Sequence, residues 1–287
     1  MSETKSLLSP ILSTTARVAT YLVLVVALYF FCRPAVEILG LPAPLNRFNF
    51  AITGLLAGLG ANWICMRLFE GAGLPQIGLT WSGRNLGIGL AAGVSSALLV
   101  TVAPVMVGAA EFKSIPGPSP APYLVLGFAA VFLAAAASEE IQFRGFLLQV
   151  LMRTTGLIPA AILTSLLFTS GHALNPHASQ LGMVNTFLAG FALACAFRAS
   201  GDLWFPLGIH FGWNVWLAIT GADVSGFAAR MTNIEMVWKA GPLWSGGEYG
   251  PEGGILTTGA FGLWLLWAWK APIKRQLPWM LKPSISE

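Results

Sequence analysis

Charge is what this sequence has least of. Asp, Glu, Lys and Arg together make up 10% of its 287 residues, against roughly 25% in an ordinary soluble domain. So few charges cannot cover a water-soluble globule of this size. That excludes a cytosolic enzyme, a nucleic-acid-binding module and a disordered chain. Cysteine is scarce as well. Cys32, Cys65 and Cys195 sit in or beside apolar runs, with no CxxC and no even framework, and read as small hydrophobes. Lys and Arg outnumber Asp and Glu by 16 to 12, but they form no basic stripe, so no nucleic-acid partner is expected.

What is present is apolar: 55% of residues are hydrophobic and mean hydropathy is +0.70. Eight segments lack charged residues altogether, at 18–32, 48–66, 85–110, 122–138, 157–176, 179–197, 203–222 and 253–269. A helix needs about 20 apolar residues to cross a hydrocarbon core of about 30 Å. Unpaired backbone groups are too costly in lipid for such runs to be anything but helices. The expectation is an all-α polytopic membrane protein of about eight transmembrane helices, in contact with membrane lipids. No small-x-small cleavage site follows the first run, so it is expected to stay as an anchor.

An even number of spans puts both termini on one side. That side holds Lys5, Arg17, Arg67, Arg84, Arg144, Arg153, Arg198, Lys270, Lys274, Arg275 and Lys282, while Arg33, Arg47, Lys113, Arg230 and Lys239 fall on the other. Even with the deeply placed Arg144 left out, the asymmetry predicts both termini in the cytoplasm. The expected organisation is a cytoplasmic N-terminal segment (1–17), three spans (18–110) and a Pro-rich outer loop (111–121). A four-helix core (122–222), an outer loop (223–252) and the last span with a basic cytoplasmic tail (253–287) follow. The glycines from Gly246 to Gly254 lack the Lys-Ser/Thr that completes a phosphate cradle, and read as a flexible turn.

The informative residues are those that lipid should have removed. Glu139 and Glu140 follow the fourth run, and apolar residues after them predict a helix continuing without a break to about Arg153. A buried acidic residue costs about 2.5–3.5 kcal/mol on insertion scales, so an adjacent pair marks a functional site. Arg144 lies one turn after Glu140 on the same face and can hold it ionised. Glu139 points about 100° away and has no such local partner. It is the residue expected to do chemistry, with the Glu140–Arg144 pair orienting it. The fifth run carries Phe168 and His172; the seventh carries His210 and Asn214. Glu140 stands sixteen residues before Gly156 and His172 sixteen after it. In an antiparallel hairpin turning there, both lie at the same height, about 24 Å from the turn.

Two carboxylates, two histidines and a carboxamide in one buried cavity fit peptide hydrolysis. A carboxylate can take a proton from water that a histidine positions. A second histidine with Asn can donate to the oxyanion of an attacked carbonyl. A metal version also fits, with Glu139, His172 and His210 as three Zn²⁺ ligands and one position left for water; the residues do not choose between the two. No HExxH, GxGD or GxSG pattern is present. Two other classes share the feature of buried Glu and His: a proton- or solute-coupled transporter, and a non-catalytic membrane immunity or scaffold protein.

The three elements read Glu139-Glu140-Ile141-Gln142-Phe143-Arg144, then Phe168-Thr169-Ser170-Gly171-His172, then His210-Phe211-Gly212-Trp213-Asn214. In order and on separate spans, they resemble the EExxxR, FxxxH and HxxxN/D pattern of the CPBP family. This is the Abi or CAAX-protease-and-bacteriocin-processing family, which includes the type II CAAX prenyl endopeptidases. The resemblance covers about residues 120–220. It implies an intramembrane endopeptidase, commonly labelled a metalloprotease, acting on a membrane-associated, prenylated or otherwise lipid-linked protein or peptide. It further implies a site reached from the cytoplasmic side or the bilayer, and residence in the plasma (inner) membrane of a prokaryote. Carried over by position, Glu139 would activate water with His172 as partner. His210 and Asn214 would stabilise the oxyanion, Arg144 would brace Glu140, and Phe168 would pack beside the site.

Overall fold

A computed structural model describes residues 2–282. Each of the eight apolar runs coincides with a helix. The helices are α1 (Ser2–Leu39), α2 (Asn49–Glu70), α3 (Gly83–Met106), α4 (Pro122–Arg144), α5 (Phe146–Thr155) and α6 (Leu157–His172). They continue with α7 (Gln180–Ser200), α8 (Trp204–Ile219), a one-turn α9 (Pro242–Ser245) and α10 (Ile255–Lys270). Five segments are long and apolar enough to cross a membrane by themselves: Leu12–Leu39, Asn49–Glu70, Gly83–Met106, Pro122–Thr155 and Gln180–Ser200. The helices α6, α8 and α10 have 16 residues each, about 24 Å at a rise of 1.5 Å per residue. The chain is an integral membrane protein built mainly of helices.

Burial runs opposite to that of a water-soluble bundle. In α2 the buried face is Ala51, Gly54, Ala57, Gly58 and Ala61, while Phe50, Leu56, Trp63 and Leu68 face outward. Lipid is as apolar as leucine, so helices gain by close backbone approach through small residues. The tightest seam is α3 against α8. A Cβ on Gly89 or Gly93 would run into the carbonyls of Phe205 or Ile209, and one on Gly208 into that of Leu86. This seam fixes the depth of His210. The α2–α4 seam does the same for Glu139, with Gln142 Nε2 donating to the Gly54 carbonyl at 3.1 Å.

The bundle has two distinct ends. At the end where α1 begins and α10 finishes, Glu70 pairs with Arg17 and with Arg153 (2.9 Å). There too Asn85 Nδ2 donates to Asp202 at 2.6 Å, and the backbone N–H of Lys274 donates to Asn85 Oδ1 at 2.7 Å. At the opposite end lie the start of α2, the residues after α6 and the long segment between α8 and α10.

Three expectations need correction. The helix carrying Glu139 does not run unbroken to Arg153; it breaks at Gly145, whose ψ is −121°. The cause is Asn62 of α2, which reaches into the break. Its Nδ2 donates to the Ile141 carbonyl (3.0 Å), and its Oδ1 accepts the Phe146 N–H (2.7 Å). A Cβ at residue 145 would strike Asn62 Oδ1. Second, the two outer loops are not wholly irregular. β1 (Ala110–Ser114) and β2 (Ile234–Trp238) pair antiparallel, with Ala110 opposite Trp238 and Ser114 opposite Ile234, tying the two outer segments together. Third, the glycine-rich stretch before α10 is a set of defined turns. Gly246 and Gly250 take positive φ (76° and 88°), and the Glu252 and Gly254 carbonyls accept from Asn185 Nδ2 at 2.8 and 2.9 Å.

Candidate active site

All seven residues singled out from the sequence meet in one place. Adjacent on α4, Glu139 and Glu140 diverge around the helix and meet different environments. The Glu140 side chain is 1% exposed and faces inward. Its Oε1 lies 3.3 Å from Arg144 Nη1 and accepts from His210 Nδ1 at 2.9 Å. Arg144 also donates from Nη2 to the Gly190 carbonyl of α7 (3.0 Å), and its guanidinium lies over the Phe168 ring at 4.8 Å. The bond from Glu140 to His210 joins α4 to α8 and could not be read from the sequence, which paired Glu140 with Arg144 alone.

Glu139 is different: its side chain is 25% exposed and faces a cavity. His172 Nε2 is 3.9 Å from Oε1 and His210 Nε2 is 3.6 Å from Oε2. Both separations exceed direct hydrogen bonding. The His172 Nδ1 bonds the Phe168 carbonyl at 2.9 Å. Because a carbonyl only accepts, Nδ1 donates to it and Nε2 is the ring nitrogen left facing Glu139. His210 likewise turns Nδ1 to a carboxylate and Nε2 to Glu139. Asn214 sits one turn beyond His210 on α8, buried, and lines the same cavity.

The cavity has a volume of about 230 Å³. Six of its lining residues are phenylalanines: Phe48, Phe50, Phe132, Phe143, Phe168 and Phe227. A smaller lobe of about 30 Å³ lies behind His172, His210 and Asn214, closed by Trp213 and Glu252. Glu252 is a member of the site that sequence reading missed. Its Oε1 accepts from Trp213 Nε1 at 2.9 Å, and its Oε2 accepts from both the Ser225 N–H and, at 2.9 Å, the Ser225 hydroxyl. Ser225 lines both lobes, so Glu252 pins the segment that closes the cavity. The signal available was an acidic residue at the edge of the last apolar run, hidden among glycines.

Among the described residues, no three His, Cys, Asp or Glu side chains are arranged to hold a metal ion. His172 Nε2 and His210 Nε2 approach different oxygens of the Glu139 carboxylate, at 3.9 and 3.6 Å.

Fold and site together define a polytopic helical membrane protein with a buried carboxylate–histidine cluster beside an apolar cavity. Residues 121–216 match the family model described as type II CAAX prenyl endopeptidase Rce1-like, the group that the three sequence elements resemble. The matched stretch is about a third of the chain and includes every residue of the cluster except Glu252. The match supports intramembrane proteolysis as the activity class. No curated protein matches the chain.

Proposed function

We propose that the protein is an intramembrane endopeptidase that hydrolyses a peptide bond of a membrane-associated protein or peptide, with water activated by Glu139. The observation carrying this reading is the division between the two carboxylates. Glu140 is locked into an interior network, while Glu139 faces the cavity between two imidazole Nε2 atoms.

Water held between Glu139 and His172 attacks the scissile carbonyl carbon as Glu139 takes its proton. The carbonyl electrons move onto oxygen, where His210 Nε2–H and the Asn214 amide donate. Donation from Nε2 while Nδ1 donates to Glu140 requires a proton on both ring nitrogens. Collapse of the tetrahedral species breaks the C–N bond, and the proton on Glu139 passes to the leaving amine. The phenylalanine lining suits an apolar or lipid-linked stretch of substrate. Residence in a prokaryotic plasma membrane belongs to the same proposal.

The test is cleavage of a library of quenched fluorescent peptides by the purified protein in detergent micelles. Glu139→Gln, a near-isosteric change, is expected to abolish cleavage while the protein still expresses and melts normally. Undiminished cleavage by that variant would overturn the assignment.

A further inference from the structure

The glycines inside the helices fall into two groups. Gly54, Gly58, Gly89, Gly93, Gly190 and Gly208 lie where another helix presses against them, and a Cβ at any of these positions would come within 3.1 Å of a neighbouring atom. At Gly87, Gly171, Gly259 and Gly262 a Cβ would meet nothing within 4 Å. Of these four, Gly171 alone lines the cavity. Glycine weakens a helix relative to alanine, so its use there needs a reason. Its φ is not positive, so the backbone does not call for it, and no helix approaches it closely. The open space beside Gly171 is part of the cavity itself.

That space adjoins the reacting groups. Gly171 directly precedes His172, whose Nε2 stands 3.9 Å from Glu139 Oε1, and consecutive Cα atoms are about 3.8 Å apart. On the α4 side the cavity is lined by Phe132, Ala135, Glu139 and Phe143, whose spacing of three or four residues puts them on one face of the helix. Ala135, one turn before Glu139, is the one short side chain on that face. Small residues therefore stand beside both Glu139 and His172, while the wall around them is aromatic. Phe143 meets Phe168 edge to face at 5.4 Å between centroids, and Phe168 lies against the His172 ring at 4.4 Å. Glu139 is the one carboxylate among the lining residues, and no lysine or arginine is among them. An acidic side chain entering here would be repelled by Glu139 and would find no guanidinium or ammonium partner.

We propose that Gly171 is a specificity-determining residue. The space it leaves open receives the side chain of the substrate residue next to the scissile bond, and the missing Cβ lets that side chain be large and uncharged, of leucine or phenylalanine size. This rests on the protease reading and adds to it a size limit set at a single position. A side chain at residue 171 would compete for the same space. In an apolar pocket one methylene more or less is worth about 10–200-fold in kcat/KM, so even a short side chain there shifts the preference towards smaller substrate residues.

The test uses the purified full-length protein in detergent micelles and peptides that differ only in the residues flanking the cleaved bond, with Ala, Val, Leu or Phe on either side. The parent is expected to cleave the Leu and Phe peptides faster than the Ala peptide at one of the two positions. Gly171→Leu is expected to lower the Phe-to-Ala ratio of kcat/KM at that position by about tenfold or more, and Gly171→Ala to lower it by less in the same direction. Alanine and leucine are better helix formers than glycine, so both variants are expected to fold, which melting checks; should Gly171→Leu fail to fold, the ratio in Gly171→Ala decides. A purely structural role would slow every peptide in proportion and leave the ratio fixed. A fixed ratio, or a parent that cleaves all the peptides equally well, overturns the subsite while the Glu139 chemistry stands. A parent that cleaves no peptide overturns the protease reading and the subsite together.

Discussion

His210 Nδ1 lies 2.9 Å from Glu140 Oε1, a bond between helices α8 and α4 that joins the middle of one to the last turns of the other. Arg144 touches the same oxygen at 3.3 Å. One carboxylate oxygen thus receives two cationic or potentially cationic partners, and the imidazole is turned so that its other nitrogen meets Glu139. In the proposed mechanism Glu140 is therefore a positioning residue, and Glu139 is the carboxylate left facing the cavity.

Replacing Glu140 with Gln should therefore cost both stability and rate. Arg144 would be left as a buried cation without its counter-charge, a loss on the order of 3–5 kcal/mol. His210 would lose the carboxylate that orients its ring, and kcat should fall by about 10²-fold or more. Thermal melting in detergent and peptide-cleavage rates check the two halves separately. Unchanged melting with unchanged kcat would show that the pair neither stabilises nor orients.

Glu252 offers a different signature. Glu252→Gln keeps the shape but turns an amide N–H₂ or a single carbonyl towards a segment that needs acceptors for the Ser225 N–H, the Ser225 hydroxyl and Trp213 Nε1. The expected effect is on binding more than chemistry, with KM rising about tenfold, equal to the loss of one charge-assisted hydrogen bond, and kcat changing less. A fall in kcat at constant KM would instead put Glu252 in the chemical step.

The α3–α8 seam predicts a sharp contrast between two glycines on one helix. Gly93→Ala drives a methyl into the Ile209 backbone and should destabilise by at least about 1–3 kcal/mol, shifting His210 with it. Gly87→Ala meets nothing within 4 Å and should be neutral or stabilising by up to about 1 kcal/mol. Equal melting temperatures for the two variants would contradict the close backbone approach.

Asn62 is expected to be as sensitive as a site residue although it lies outside the cavity. Asn62→Leu removes the acceptor of the Phe146 N–H, leaving that buried donor unpaired at about 1–3 kcal/mol, while the Ile141 carbonyl keeps the Gly145 N–H at 3.2 Å. Because the break it holds begins five residues after Glu140, activity should fall along with stability.

The β1–β2 ribbon gives a pH test. Hydrogen bonds from Lys113 first, then Lys239, hold the Glu111 carboxyl well below its ordinary 4.5, at about 2. A lowered folded value means that its contribution is complete above about 4.5 and is lost as pH falls towards 2. Hydrogen-exchange protection of the ribbon amides should hold from neutral pH to about 4.5 and then decline. Glu111→Gln should flatten that decline.

The number of apolar runs, the scarcity of charge and the expensive residues inside lipid were all legible in the chain, because each follows from local composition against a fixed solvent. The turn at Gly156 was legible as well, since the chain does reverse there between α5 and α6, although the break at Gly145 removes the straight helix on which the equal-height argument for Glu140 and His172 relied. The family pattern located Glu139, His172, His210 and Asn214, and the structure brings them to one cavity. Composition could not show that Gly145 breaks the fourth helix, since the cause is Asn62, more than eighty residues earlier. Nor could it show that Glu140 binds His210, or that Glu252 pins the segment closing the cavity from a glycine-rich turn. Those depend on which helices approach through glycine seams and at what depth, a matter of long-range packing that pairs residues far apart in sequence. Local periodicity carries no record of that pairing; it exists only once the helices are assembled.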